Sequence, residues 1–202
     1  MSRGVVSSLA RPGTNVTGFA ITAMGKRLEL LVQALPTARR VALLLDPTNP
    51  NAAEYRRETE AVARAIGVSL LAFDVSVPER LENVIGSVAK ARPDAFVVAG
   101  DPLFSDTCQR LVDVVARHRL PTMWEPRVMV EAGGLMAYGA DPAELYRRAA
   151  TYADRILKGI KPADLPVEQP TKFALVINMK TAKSLRLTIA QPLLLRADQV
   201  ID

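Results

Sequence analysis

The stretch VALLLDPTNPNAAEYRRETEAVARAIGV, residues 41–68, decides the fold. Its opening run, 41–45, is apolar throughout, as expected of a strand buried on both faces. A polar loop follows at 46–49, and Pro50 stands where a first helical residue belongs, with Asn49 as its cap. Tyr55, Thr59, Val62 and Ile66 then recur at helical spacing and turn one face inward, until Gly67 ends the helix. Strand, polar loop and capped helix make half of a βαβ unit. Ligands of open parallel sheets collect where strand C-termini meet helix N-termini, so the loops carry the functional information.

Working outward, the alternation repeats. Strands are expected at 69–73, 95–99, 120–124 and 135–139. Ser76 opens a capping-box helix with Leu81, Val84, Ile85 and Val88 inward. Further helices carry Cys108 and, after an Asp141 cap, the stripe Leu145, Ala149, Tyr152 and Ile156. One helical turn is expected at 127–132. Three prolines within 161–170 imply an extended connection. A strand at 172–177, a short helix at 178–185 and an irregular tail complete the chain. Upstream, 26–35 is a helix stopped by Pro36. Residues 1–25 form no unit of their own, with a helical turn at 4–9 and a short strand at 15–21. The pattern predicts an α/β fold, a doubly wound, mainly parallel sheet with 41–45 central and 95–99 beside it.

The 202 residues are 49% hydrophobic, enough for one core or two small lobes, and carry a net charge of +5. The basic residues come as scattered pairs with acidic neighbours and aromatics are only 5%, so no nucleic-acid partner is expected. A single cysteine, Cys108, excludes an internal disulfide and lies on an apolar stripe as a buried, inert thiol. The single histidine, His118, sits near a helix end without a catalytic or metal-binding companion. No apolar run reaches transmembrane length and the start has no signal-peptide core, so the chain as written would stay cytoplasmic.

Acidic residues close the strands: Asp46, Asp74, Asp101, Glu125 and, just past Gly139, Asp141. Helix capping explains such residues, above all Asp74 and Asp141. Asp46, Asp101 and Glu125 are each followed by proline and are held extended, free to point across the rim. Carboxylates repel phosphate, and neither a GxGxxG nor a phosphate-loop pattern is present, which argues against nucleotides. The rim suits an ammonium, a polyol or a divalent cation, while the helix after Asn49 and Asn51 offers N–H groups to a carboxylate. An amino acid or similar zwitterion would use both. No catalytic motif appears, and no cofactor or metal is expected.

Four segments, SLARPGTNVTGFA (8–20), KRLELLVQALPTARRVALLLDPTNPNA (26–52), the block from VEAGGLMAYGADPAELY to KSLRLTI (130–189) and PLLLRADQVI (192–201), resemble substrate-binding proteins of ABC transporters in the TrpX-like family. The resemblance covers essentially the whole chain. It implies a type I periplasmic binding protein fold, two doubly wound lobes on a three-strand hinge with solute in the cleft. Complete members begin with a secretory signal and most of a first lobe ahead of the RPGxNVTG segment, so the resemblance implies an incomplete chain. Residues 1–25 would end the first lobe and cross the hinge, 26–135 would form the second lobe, 136–160 would cross back with a first-lobe helix, and 161–202 would return to the second lobe and tail. The resemblance further implies ligand contacts at Thr48, Asn49, Asn51 and Asp101, then Tyr138 and Asp141. It also implies ABC permease partners and a periplasmic or membrane-anchored extracytoplasmic location. Glu125 joins the candidate ligand set from the rim. The helix after Asp141 would expose its apolar stripe or cover it by self-association.

The leading reading is thus a non-enzymatic solute-binding component of an ABC importer. Two alternatives stay open at this point, an α/β enzyme using the carboxylate rim with a divalent metal, and a cytosolic small-molecule sensing module.

Overall fold

The computed structural model describes residues 6–21 and 23–202. Two compact units emerge among the described residues: a larger one of residues 23–139 and 174–202, and a smaller one of residues 6–21 and 140–173.

The larger unit follows the alternation read from the sequence. Its elements are α1 (Met24–Ala34), β1 (Arg40–Leu45), α2 (Ala52–Ala65), β2 (Ser69–Asp74), α3 (Leu81–Lys90), β3 (Ala95–Val98), α4 (Pro102–Asp106) and α5 (Cys108–Arg117). Next come β4 (Thr122–Trp124), α6 (Val128–Glu131) and β5, which ends at the unit boundary (Met136–Ala140). After the smaller unit with α7 (Pro142–Leu157), the chain adds β6 (Phe173–Asn178), α8 (Met179–Ser184), α9 (Gln191–Leu194) and β7 (Gln199–Ile201). The seven strands form one sheet in the order β2-β1-β3-β4-β5-β6-β7.

Strand β1 pairs parallel with β2 on one side and with β3 on the other, Val41 opposite Ala95 through Leu44 opposite Val98. The expected parallel pairing is therefore present, but β1 stands second from an edge rather than at the centre. The sheet extends further on the β3 side because β5, β6 and β7 all join there. Successive residues of β1 serve opposite cores. Val41, Leu43 and Leu45 pack with Leu28, Leu31 and Ala63, while Ala42 and Leu44 pack with Leu81, Ile85 and Leu111. Helices α1, α2, α8 and α9 thus cover one face and α3 to α6 the other, which is why this strand reads as continuously apolar.

Several local expectations change. Helix α2 starts at Ala52, not Pro50, with Asn51 as a cap residue whose side chain makes no capping bond. The Asn49 side chain instead closes the preceding turn, its Oδ1 accepting the Asn51 N–H at 2.7 Å. Ile66 is 38% exposed because the buried stripe of α2 runs through Ala52, Thr59 and Ala63. The capping box at Ser76 is replaced by a 3-10 turn, Pro78–Arg80, whose cap makes no side-chain bond. The helix holding Cys108 is split into α4 and α5 around Thr107, whose Oγ1 donates back to the Leu103 carbonyl at 2.7 Å. The tail is not irregular: α9 buries Leu193 and β7 extends the sheet.

In the smaller unit, the described part of the expected turn at 4–9, residues 6–9, is not helical, and the strand expected at 15–21 reduces to one bridge. Phe19 pairs there with Glu168, and its ring packs on Tyr152 of α7 at 5.5 Å between centroids. The Tyr152 hydroxyl donates to the Pro166 carbonyl at 2.8 Å. Tyr152 is the one buried residue of α7, while Tyr146 is 77% and Leu157 87% exposed. Among the described residues no helix is long and apolar enough to cross a membrane.

Candidate functional site

Strands β1, β3, β4 and β5 are parallel neighbours, so their C-terminal ends share one edge of the sheet. At this edge the loop after β1 folds around two side chains. Asp46 Oδ1 accepts both the N–H and the hydroxyl of Thr48, at 2.8 and 2.7 Å, which turns the chain sharply after the strand. Asn49 then reaches the neighbouring strand end, its Nδ2 donating to Asp101 Oδ2 at 2.6 Å. The other Asp101 oxygen caps α4 by accepting the Leu103 N–H at 2.7 Å. One carboxylate therefore fixes two loops with one oxygen each, and both oxygens retain lone pairs for a further donor.

Beside this pair lies a cation that the sequence reading missed. Arg27 of α1 is 1% exposed. Its Nε donates to the Tyr138 carbonyl at 2.8 Å, its Nη1 to Met24 Sδ at 3.0 Å, and its Nη2 stands 2.7 Å from Glu125 Oε2 as an ion pair outside hydrogen-bond geometry. Glu125 is thus neutralised from below, not left as a bare charge on the rim. Its carboxylate lies over Gly100, where a Cβ would stand 1.8 Å from Oε2, and its carbonyl lies over Gly139, where a Cβ would stand 2.4 Å away. Two glycines make room for this wedge between the ends of β3 and β5.

Tyr55, on the first turns of α2, joins the two groups. Burial first, then the charges of Glu125 and Asp101, push its phenol above the ordinary tyrosine value, while Arg27 and a hydrogen bond with Asn51 act the other way. Its hydroxyl consequently stays protonated as a neutral donor or acceptor.

Of the seven candidate ligand residues, the structure brings Asn49, Asn51, Asp101 and Glu125 around Tyr55 and Arg27, and ties in Tyr138 through its carbonyl. Thr48 serves the Asp46 turn. Asp141 belongs to the smaller unit, where its Oδ1 caps α7 by accepting the Ala143 N–H at 2.9 Å. Asp74, at the end of the edge strand β2, pairs with Arg56. Arg27 was legible in principle, because it occupies a slot of the stripe Met24, Arg27, Leu28, Leu31 and Ala34, all buried. Burial pushes the Cys108 thiol up, which suits an inert residue. Among the described residues, no group of three His, Cys, Asp or Glu side chains is placed to hold a metal ion.

A family model, ABC transporter substrate binding protein, matches residues 1–201. No curated protein matches the chain. Among solved structures, an ABC domain in complex with L-Trp from Streptococcus pneumonia is 28% identical with a TM-score of 0.90, over 98% of this chain and 68% of that one. A conserved domain protein from Vibrio cholerae is 23% identical with a TM-score of 0.91, over 97% and 66%. A periplasmic solute-binding protein from Actinobacillus succinogenes with bound D-allose shares the fold at 15% identity, TM-score 0.61, over 85% and 64%. The chain thus spans about two thirds of the structures it matches. By its fold and by a family match over nearly its whole length, the chain belongs to the ABC transporter substrate-binding protein family.

Proposed function

We propose that the chain is the solute-binding component of an ABC import system and that its rim takes a small zwitterionic solute of the amino-acid class. The family and fold are those of binding proteins rather than enzymes. The observation that carries the reading is the 2.6 Å bond from Asn49 to Asp101. It sets the N-terminal turn of α2 beside a carboxylate; the Asn51 and Ala52 N–H groups there are taken by Asn49, and those of Ala53 and Glu54 have no intrahelical acceptor. The turn suits a solute carboxylate and Asp101 a solute ammonium. Tyr55 and Tyr138 would flank the solute body, and Arg27 would keep Glu125 from adding a second full negative charge. Partnership with permease subunits and an extracytoplasmic location accompany this reading as properties of the family.

Isothermal titration with a panel of L-amino acids tests it. Asp101→Asn is expected to weaken binding by about 1.5–3 kcal/mol, the worth of a hydrogen bond to a charged group. Equal affinity for wild type and variant removes Asp101 from the site.

A second expectation concerns α7. Its exposed Tyr146, Leu157 and Ile156 favour self-association. Light scattering after size exclusion is expected to show a mass that rises with concentration, and Leu157→Glu to reduce it. A concentration-independent monomer contradicts this.

A further inference from the structure

Arg27 is an expensive residue to place where it is. It shares the inward stripe of α1 with Met24, Leu28 and Leu31 and is 1% exposed, so its guanidinium has lost nearly all of its hydration. Apolar residues in place of such a buried pair are often neutral or stabilising, so stability alone does not account for Arg27 and Glu125. The partner carboxylate stands differently. Glu125 follows β4 and keeps 26% of its side chain in solvent, with Oε2 lying over Gly100, the residue immediately before Asp101. Two carboxylates thus meet at one backbone position at the end of β3. The third acid of this edge, Asp46, is 9% exposed and spends one oxygen twice on Thr48.

The sign of the effect on a solute follows from Coulomb's law. Asp101 and Glu125 together would attract a second positive charge on the solute, and a guanidinium 2.7 Å from Glu125 cancels most of that attraction. Because Arg27 is buried, salt screens it little and its charge reaches the rim. Tyr55 shows the shared field: burial raises its phenol most, Glu125 and Asp101 raise it further, and Arg27 lowers it. We propose that Arg27 sets the charge selectivity of the rim, so that it accepts amino acids with uncharged side chains and rejects those that carry a second ammonium. This inference rests on the reading of the rim as an amino-acid site and adds the class of side chain. Arg27 acts here through Glu125, as a positioning residue that need not touch the solute.

L-Norleucine and L-lysine are a matched pair of probes, the same carbon chain without and with a terminal ammonium. Calorimetry is expected to show the wild type binding norleucine more tightly than lysine. Arg27→Met, which keeps the length and deletes the charge, is expected to move the ratio of the two dissociation constants toward lysine by about tenfold or more. Glu125→Gln leaves the guanidinium unopposed and is expected to move selectivity the other way, read with L-glutamine and L-glutamate as about a tenfold gain for glutamate. The double variant is expected to return both ratios to near the wild-type values. Glu125→Gln and the double variant carry the test should Arg27→Met not fold. A purely structural ion pair would weaken both members of each probe pair alike and leave the ratios unmoved. Ratios equal in wild type and Glu125→Gln, with norleucine still bound, overturn the proposal and leave the amino-acid reading standing. A wild type that prefers lysine, or that binds neither norleucine nor lysine, also overturns it, and the amino-acid panel with Asp101→Asn then decides the reading of the rim separately.

Discussion

Arg27→Met is expected to lower the stability of the chain by about 3 kcal/mol, the scale of removing one partner from a buried ion pair. The side chain of Arg27 is 2% exposed and that of Glu125 26%, so solvent can rescue only the carboxylate end. The substitution also removes the 2.8 Å hydrogen bond from Arg27 to the Tyr138 carbonyl, a further buried interaction lost. Methionine restores most of the buried length, which separates the charge effect from a cavity. Glu125→Gln alone leaves the guanidinium buried without its counter-charge. The double variant is therefore expected to be more stable than the sum of the two single losses implies, with a coupling of about 1–3 kcal/mol in a double-mutant cycle. Denaturant melts of the four proteins measure it. Strict additivity would mean that the two groups stand near each other without depending on each other.

Gly139→Ala is the second large effect, a loss of about 2–3 kcal/mol from overpacking. The new methyl would meet the Glu125 carbonyl oxygen at 2.4 Å. That oxygen belongs to the backbone at the end of β4 and cannot swing aside, so the strand ends must spread. Gly100→Ala differs in kind. Its methyl would meet the end of the Glu125 side chain at 1.8 Å, which can move only by leaving Arg27. Shortening Glu125 to alanine is expected to rescue Gly100→Ala in part and Gly139→Ala not at all. Thermal unfolding of these variants distinguishes the two clashes, and equal rescue of both would contradict the geometry.

Much of this arrangement was legible in the sequence because the strands announce themselves. VALLL and AFVV are buried on both faces, and a continuous apolar run bounded by polar loops has few other readings. The edge elements were harder. β7 is three residues long with a half-exposed pattern, and α9 is a single turn, so neither carries a period long enough to read. The start of α2 was misplaced because Asn49 has the chemistry of a cap but spends its side chain on Asn51 and Asp101, a tertiary bond that no local pattern announces. Arg27 was passed over because Lys26-Arg27 looks like a solvated pair, although its phase on the helix matched the buried leucines. The candidate ligand residues show the same division. Asn49 and Asp101 were named separately, and only the fold makes them one bonded pair. The partners that fill Asp46 and Glu125, Thr48 and Arg27, come from a turn and from a distant helix respectively.

The measurement that bears most directly on the proposed solute site is amide chemical-shift mapping of the ¹⁵N-labelled chain with an L-amino acid, L-tryptophan first. A rim-bound solute is expected to move, saturably and together, the amides of Thr48, Asn49, Asn51, Tyr55, Asp101 and Tyr138, and Asp101→Asn is expected to weaken all of these changes in parallel. Saturable shifts gathered elsewhere on the chain, with those rim amides unmoved, would contradict the account.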